Sequence, residues 1–292
     1  MRGFFLTIVI LFLFVFIFLA GIGTALLFSG DSFSTGDKVA VLRVNDVILD
    51  SQIYLESLDT ISKDSDVKAI VVRIDSPGGA VGPSQEIYSE LKELGKDMPV
   101  VASIGGVGAS GGYYIACAAE KIYANPGAIT GSIGVIAQFA SYEKLLDWAK
   151  IDVEVIKSGK YKDVGSSFRQ MTPADKKYIQ ELIDNVYSQF KSAVASSRDL
   201  DTKEIENVSD GKIYTGEQAL NLKLIDELGT INDAIAMAAD LGGIDGEPSV
   251  ENFPKKRSKL YELLNSKNDT SILTSVPTKT RFGLFYLVDI IN

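Results

Sequence analysis

Two short, almost unbroken apolar runs, each stopped by glycine, constrain this fold more than any other feature. Ala69-Ile70-Val71-Val72-Arg73-Ile74 leads into Asp75-Ser76-Pro77-Gly78-Gly79, and Pro99-Val100-Val101-Ala102-Ser103 leads into a glycine-rich turn ending Gly108-Ala109-Ser110-Gly111-Gly112. Runs of this length, rich in branched residues, read as strands, and a strand apolar on both faces belongs inside a parallel sheet covered by helices. Helical patterns alternate with them. Ile87, Leu91 and Leu94 recur at helical spacing in 84–94, and a helix is expected over 110–119. Thr172-Pro173-Ala174-Asp175 supplies a cap, a first-position proline and an early carboxylate. It opens a long helix whose expected buried stripe is Tyr178, Leu182, Val186 and Phe190. Shorter helices are expected at 142–149, from Thr215, and at 231–239, and strands at 39–44, 121–124, 132–137 and 153–156. No internal repeat is visible. The alternation predicts an α/β fold built from βαβ units.

Residues 4–28 carry no charge and are dominated by Phe, Leu, Ile and Val. A helix needs roughly 20 residues to cross a bilayer, and a cleavable secretory signal has a shorter apolar core. The stretch therefore reads as an uncleaved transmembrane anchor over 1–30. Arg2 before it, with Asp31 and Asp37 after it, keeps the N-terminus in the cytoplasm and the bulk of the chain on the extracytoplasmic side of the cell membrane. A polar linker at 31–37 precedes one domain at 38–245, large enough for a single core. The remainder, 246–292, reads as a tail. It ends in Phe282-Gly283-Leu284-Phe285-Tyr286-Leu287-Val288-Asp289-Ile290-Ile291, too short to span a membrane. Packing or membrane contact is the preferred reading of this end, with occupation of an apolar substrate groove as the alternative.

The net charge of −9 disfavours nucleic acid as a partner, because phosphate binding needs a basic face. Lys255-Lys256-Arg257 with Lys259 reads as a solvated helix start. Cys117 is the single cysteine and there is no histidine, so the usual zinc ligands are missing and Cys117 reads as a small buried side chain. No metal or cofactor is expected. Gly106-Val107-Gly108-Ala109-Ser110-Gly111 has the glycine spacing of a dinucleotide loop, but the acidic residue expected about 20 positions later is missing.

The pattern Gly-x-Ser-x-Gly around Ser110 is that of a nucleophile on a sharp strand-to-helix turn. Such a serine normally uses histidine as its base, and here the base must be another group, lysine being the best suited. Lys160 and Lys162, in Ser158-Gly159-Lys160-Tyr161-Lys162-Asp163, are both candidates. A lysine acts as a base near neutrality only where its surroundings lower its pKa from about 10.4 to 7–8, a bias of roughly 4 kcal/mol. Pro77-Gly78-Gly79 can present backbone N–H groups to an oxyanion. Taken alone, the serine and glycine turns are equally compatible with close packing, and the spacing of the lysines favours exposed surface residues.

Four motifs occur together and in order: Arg73-Ile74-Asp75-Ser76-Pro77-Gly78-Gly79, Gly108-Ala109-Ser110-Gly111-Gly112-Tyr113-Tyr114, Thr130-Gly131-Ser132-Ile133-Gly134-Val135, and Lys157-Ser158-Gly159-Lys160-Tyr161-Lys162-Asp163. In combination they resemble the signal peptide peptidase A family of membrane-anchored bacterial Ser/Lys proteases, over roughly 38–242. The resemblance implies a Clp protease/crotonase-like fold and a serine endopeptidase that degrades remnant signal peptides and other apolar peptides. It implies Ser110 as nucleophile, Lys162 as general base, Ser132 as the residue that orients the lysine, and Gly79 as an oxyanion donor. The Gly111 N–H is added as a second donor on geometric grounds. It further implies a homo-oligomeric ring in which neighbouring protomers share each dyad. A crotonase-like acyl-thioester enzyme and a non-catalytic membrane scaffold remain as alternatives.

Overall fold

The computed structural model describes residues 11–21, 36–255 and 285–287. It divides into two units, Met1–Gly36 and Asp37–Asn292. In the first, helix α1 covers 11–21. No helix among the described residues is long and apolar enough to cross a membrane. Most of the expected anchor at 1–30, and the linker that follows it, lie outside the described residues.

The second unit is an α/β fold. Its main sheet comprises β1 (Lys38–Asn45), β2 (Val67–Ser76), β4 (Val100–Ala109), β5 (Lys121–Ala124), β6 (Ile129–Gly131), β7 (Ile213–Thr215), β8 (Glu227–Leu228) and β9 (Ser249–Phe253). The order is β7-β6-β4-β2-β1-β9, with β5 beside β4 and β8 beside β5. Every pairing is parallel except β6 with β7. A second, two-stranded sheet pairs β3 (Gly78–Ala80) with β10 (Phe285–Leu287) antiparallel.

The apolar runs of β1 and β2 are explained by what covers them. Ala40, Leu42, Val44, Ile70, Val72 and Ile74 face a core shared with helices α2 (Gln52–Ser62), α3 (Val81–Leu94), α4 (Gly111–Ala116) and the end of α6 (Pro173–Arg198). Val39, Val41, Ala69 and Val71 face Ala234 and Ala238 of α9 (Ile231–Leu241) on the opposite side. Burying each branched side chain contributes about 1.5–3 kcal/mol, so both faces drive the same sheet. The remaining helices are α5 (Glu143–Ala149), α7 (Thr202–Val208) and α8 (Gly216–Asn221).

Several elements differ from their sequence expectations. The strand expected at 132–137 lies at Ile129–Gly131, because Gly131 (φ 80°) and Ser132 (φ 53°) both leave the extended region. Residues 153–156 form no strand, and Val153, Val155 and Ile156 are exposed. In α6 the stripe is buried only late: Phe190 is enclosed, whereas Tyr178 and Leu182 are exposed, and the buried residues of the first half are Asp175 and Ile179 instead. The sheet also continues past residue 245, where β9 pairs with β1.

Candidate active site

Strand β4 divides its neighbours along its length. Its first half pairs with β5 (Val101 with Lys121 to Ile104 with Ala124), and its last residues pair with β6 (Val107 with Ile129 to Ala109 with Gly131). The Asp75 carboxylate fixes the second half by accepting from the Val107 N–H at 3.0 Å. The β4–β6 register, Ala109 beside Gly131, makes Ser110 and Ser132 the next residues of two adjacent strands. The Ser110 N–H donates to the Gly131 carbonyl at 2.8 Å.

Ser110 has φ 53° and ψ −115° and is 1% exposed. A non-glycine residue in this region costs about 1–3 kcal/mol, so the surroundings must hold it there. They do so from both sides. Its N–H is tied to β6, and its carbonyl accepts from the Tyr114 N–H at 2.8 Å. A β-carbon at Gly112 would lie 2.9 Å from the Ser76 carbonyl oxygen, so the glycine lets α4 press against the end of β2. The result is a serine on a sharp strand-to-helix turn. No hydrogen bond to its hydroxyl is found among the described residues.

The Pro77-Gly78-Gly79 turn lies directly against this serine turn. Gly78 has φ 104°, and a β-carbon there would fall 2.7 Å from the Gly111 nitrogen. A β-carbon on Gly111 would in turn fall 3.1 Å from the Gly79 nitrogen. The Gly79 and Gly111 backbone nitrogens therefore lie close together, in the two turns that meet at Ser110. Ser76, buried and donating to the Asp46 carbonyl at 2.6 Å, accepts from the Gly78 N–H at 3.1 Å and fixes the turn. Ser132 is buried as well, and its N–H donates to the Lys212 carbonyl at 2.7 Å.

Lys162 is not brought to this cluster within the single chain. It is exposed, on a turn in which its N–H donates to the Gly159 carbonyl at 3.2 Å, and its ammonium has no partner among the described residues. The neighbouring lysines are engaged. Lys160 lies over the Tyr161 ring, 5.0 Å from its centre, and Lys157 pairs with Asp163 at 2.5 Å. Arg169 joins Asp163 at 2.8 Å and Asp175 at 2.6 Å, anchoring the turn to the start of α6. Its guanidinium, with Lys157 at Asp163, holds both carboxyls below the usual aspartate range. Cys117 is fully buried behind the serine turn, and burial pushes its thiol up to about 12, which leaves it unreactive. No group of histidine, cysteine and carboxylate side chains able to hold a metal occurs among the described residues.

Sequence reasoning preferred packing or membrane contact for the tail, with the groove as the alternative, and did not foresee that Ile48 and Ile136 would flank the β3–β10 pair. Ile48 flanks β3 on one side. On the other side β10 lies between β3 and Ile136. Their only sequence signal is apolar character, which gives no hint of the pairing.

Comparison with known proteins gives two overlapping matches. The sequence model of Peptidase family S49 matches residues 92–245, and that of Clp protease matches 40–130. A protein of Synechocystis sp., provisionally named a protease, is 46% identical over 73% of this chain and 77% of its own length. One from Enterococcus faecium, provisionally named signal peptide peptidase SppA, is 34% identical over 82% of this chain and 69% of its own. The chloroplastic serine protease SPPA of Arabidopsis thaliana is 35% identical over 65% of this chain and 28% of its own.

Proposed function

This chain belongs to peptidase family S49, and from that premise we propose that it is a membrane-anchored endopeptidase in which Ser110 is the nucleophile and Lys162 of a second copy is the base. The observation that carries the reading is the buried, positive-φ Ser110 beside the neighbouring Gly79 and Gly111 amides. The neutral Lys162 amine takes the hydroxyl proton as Ser110 Oγ attacks a peptide carbonyl carbon. The two amides stabilise the oxyanion. Lys162 then returns the proton to the leaving amine as the C–N bond breaks. It next takes a proton from water, whose hydroxide attacks the ester, and the Ser110 hydroxyl and a free carboxylic acid are restored. Ser132, next to Ser110 across the β4–β6 register, orients the lysine.

A lysine becomes a base where its ammonium is desolvated, and an exposed Lys162 needs a neighbour for that. The segment around it supports such a neighbour: Trp148 is 81% and Ile156 92% exposed, large apolar side chains that a protein contact would cover. A ring of protomers sharing each site is the assembly this favours. The uncharged stretch at 4–28 supports a membrane anchor with the peptidase on the extracytoplasmic side. Remnant signal peptides, apolar and extended, are the substrates suggested by relatives named as signal peptide peptidases.

Mixing tests the shared site. Ser110→Ala and Lys162→Ala proteins, each inactive alone, regain about a quarter of the parent activity on an apolar fluorogenic peptide when dissociated and reassembled together, as random pairing around a ring requires. Mixed assemblies that stay inactive exclude a site shared between copies. Activity in Ser110→Ala alone removes the nucleophile.

A further inference from the structure

The glycines before Ser110, which share only their spacing with a dinucleotide loop, belong to a break in the sheet. Strands β2 and β4 pair in parallel with Ile74 beside Ile104, and pairing resumes with Ser76 beside Gly108. Gly105, Gly106 and Val107 therefore stand against Asp75 alone, and β4 bulges between its two halves. The bulge falls where β4 changes neighbours. Its pairing with β5 ends at Ile104, and its pairing with β6 begins at Val107. Bulges interrupt a ladder and re-aim the strand beyond them. Here the strand beyond is Val107-Gly108-Ala109, which delivers Ser110 to its turn.

A bulge leaves backbone groups without ladder partners, and two side chains take them. The Asp75 carboxylate accepts from the Val107 N–H at 3.0 Å. The Asn125 side-chain amide donates to the Gly105 carbonyl at 3.1 Å. Asp75 belongs to β2, and Asn125 directly follows β5, so the bulge is held from the strands on both of its sides. The glycines make room for this. A β-carbon at Gly106 would lie 3.2 Å from Asp75 Oδ1. One at Gly105 would lie 3.1 Å from Asp75 Oδ2 and 2.8 Å from Arg73 Nη2. Arg73 is fixed in turn by donating to the Ser103 hydroxyl at 2.9 Å.

We infer that Asp75 and Asn125 are positioning residues of this peptidase: by holding the bulge in β4 they set its register against β6, and with it the place of Ser110. The inference rests on Ser110 being the nucleophile. If the bulge closes, β4 slides along β6. Each residue of slip moves Ser110 by about 3.3 Å past Ser132 and turns its side chain to the other face. A misplacement of about 1 Å already costs on the order of a hundredfold in rate. The loss falls on kcat, because a misaligned nucleophile weakens the transition state and leaves ground-state binding intact.

The test uses the full chain and compares the parent with Asp75→Ala, Asp75→Asn and Asn125→Ala on an apolar fluorogenic peptide. Rates are expressed per folded, assembled protein, measured by circular dichroism and sedimentation. Asp75 is exposed, so truncating it opens no cavity. In Asp75→Ala kcat falls at least about tenfold while KM stays within about twofold. Labelling of Ser110 by a fluorophosphonate slows in step with kcat. Asp75→Asn, which keeps an acceptor for the Val107 N–H, recovers most of the loss, and Asn125→Ala shows the same split as Asp75→Ala. A parental kcat per folded protein in either alanine variant overturns that residue's role, whatever happens to Tm. A raised KM at constant kcat overturns it as well, by moving the effect to binding. No recovery in Asp75→Asn overturns the hydrogen bond to Val107 as the cause. Cleavage that survives Ser110→Ala sinks the nucleophile assignment instead, which keeps the two failures distinct.

Discussion

The turn that carries Ser110 and the arm that carries Lys162 are both rich in apolar residues and end in opposite situations. Around Ser110, Ala109, Tyr113, Ile115 and Ile104 are fully buried. Along the arm, Leu145, Trp148, Val155 and Ile156 face solvent. The first segment is a continuation of β4, already paired on both sides, so each apolar side chain finds a wall. The second leaves the main sheet at Ser132 and, beyond the bridge from Ile136 to Phe285, has no strand beside it among the described residues. The serine turn is finished by the chain itself, whereas the arm is tied to the start of α6 by ion pairs at Asp163, Arg169 and Asp175 and by Tyr161 stacked on Tyr178. Apolar character in this protein therefore marks two things: a core where the chain returns to cover it, and an exposed face where it does not.

That contrast can be broken first at the glycines. A β-carbon at Gly79 would lie 2.0 Å from the Ile48 carbonyl oxygen and 2.6 Å from its nitrogen, whereas nothing lies within 4 Å of one at Gly159. Gly79→Ala is expected to cost about 3 kcal/mol, the upper end for overpacking. That corresponds to roughly 6–12 °C in Tm for a domain of this size, with loss of peptidase activity. Gly159→Ala leaves Tm unchanged in the same calorimetric scan. Equal effects at the two sites would show that the two regions are not built differently.

Trp148→Ser sharpens the comparison from the other side. As an exposed residue it should change monomer stability by no more than about 0.5 kcal/mol, yet weaken assembly in sedimentation and lower activity in proportion. A variant that assembles and cleaves like the parent would show that this face is solvated in the working enzyme.

The smallest effect is acid sensitivity of the arm. The carboxyls of Asp163 and Asp175 are held below the ordinary value of 3.8 by Arg169. A depressed folded-state pKa stabilises the paired form above the unfolded value, and that contribution is lost as pH falls from about 4 through the folded value. Limited proteolysis of the arm should rise in that window, and Asp163→Asn should show the higher rate already at neutral pH. Protection unchanged by acid would mean the ion pairs do not hold the arm.

The strands at β1, β2, β4 and β5 were readable because continuous branched apolar runs have no other stable use inside an α/β domain. Ser110 and Gly79 stood out because glycine at a strand end marks backbone geometry a side chain would block. The strand expected at 132–137 was misplaced because apolar alternation cannot report the positive φ of Gly131 and Ser132. Tyr178 and Leu182 read as core because helical spacing records which face is apolar, not whether anything covers it.

By itself, then, the sequence determined the layered α/β fold, the serine turn and the absence of any histidine to serve as its base, since these follow from local pattern and residue content. Tertiary structure alone decided that Ser132 stands beside Ser110, that the Gly79 and Gly111 turns meet, that Lys162 is left outside, and that Tyr286 packs among Tyr114 and Phe190. Each of those is a contact between segments far apart in the chain, fixed by strand register and packing, and no local pattern encodes the distance between two such segments.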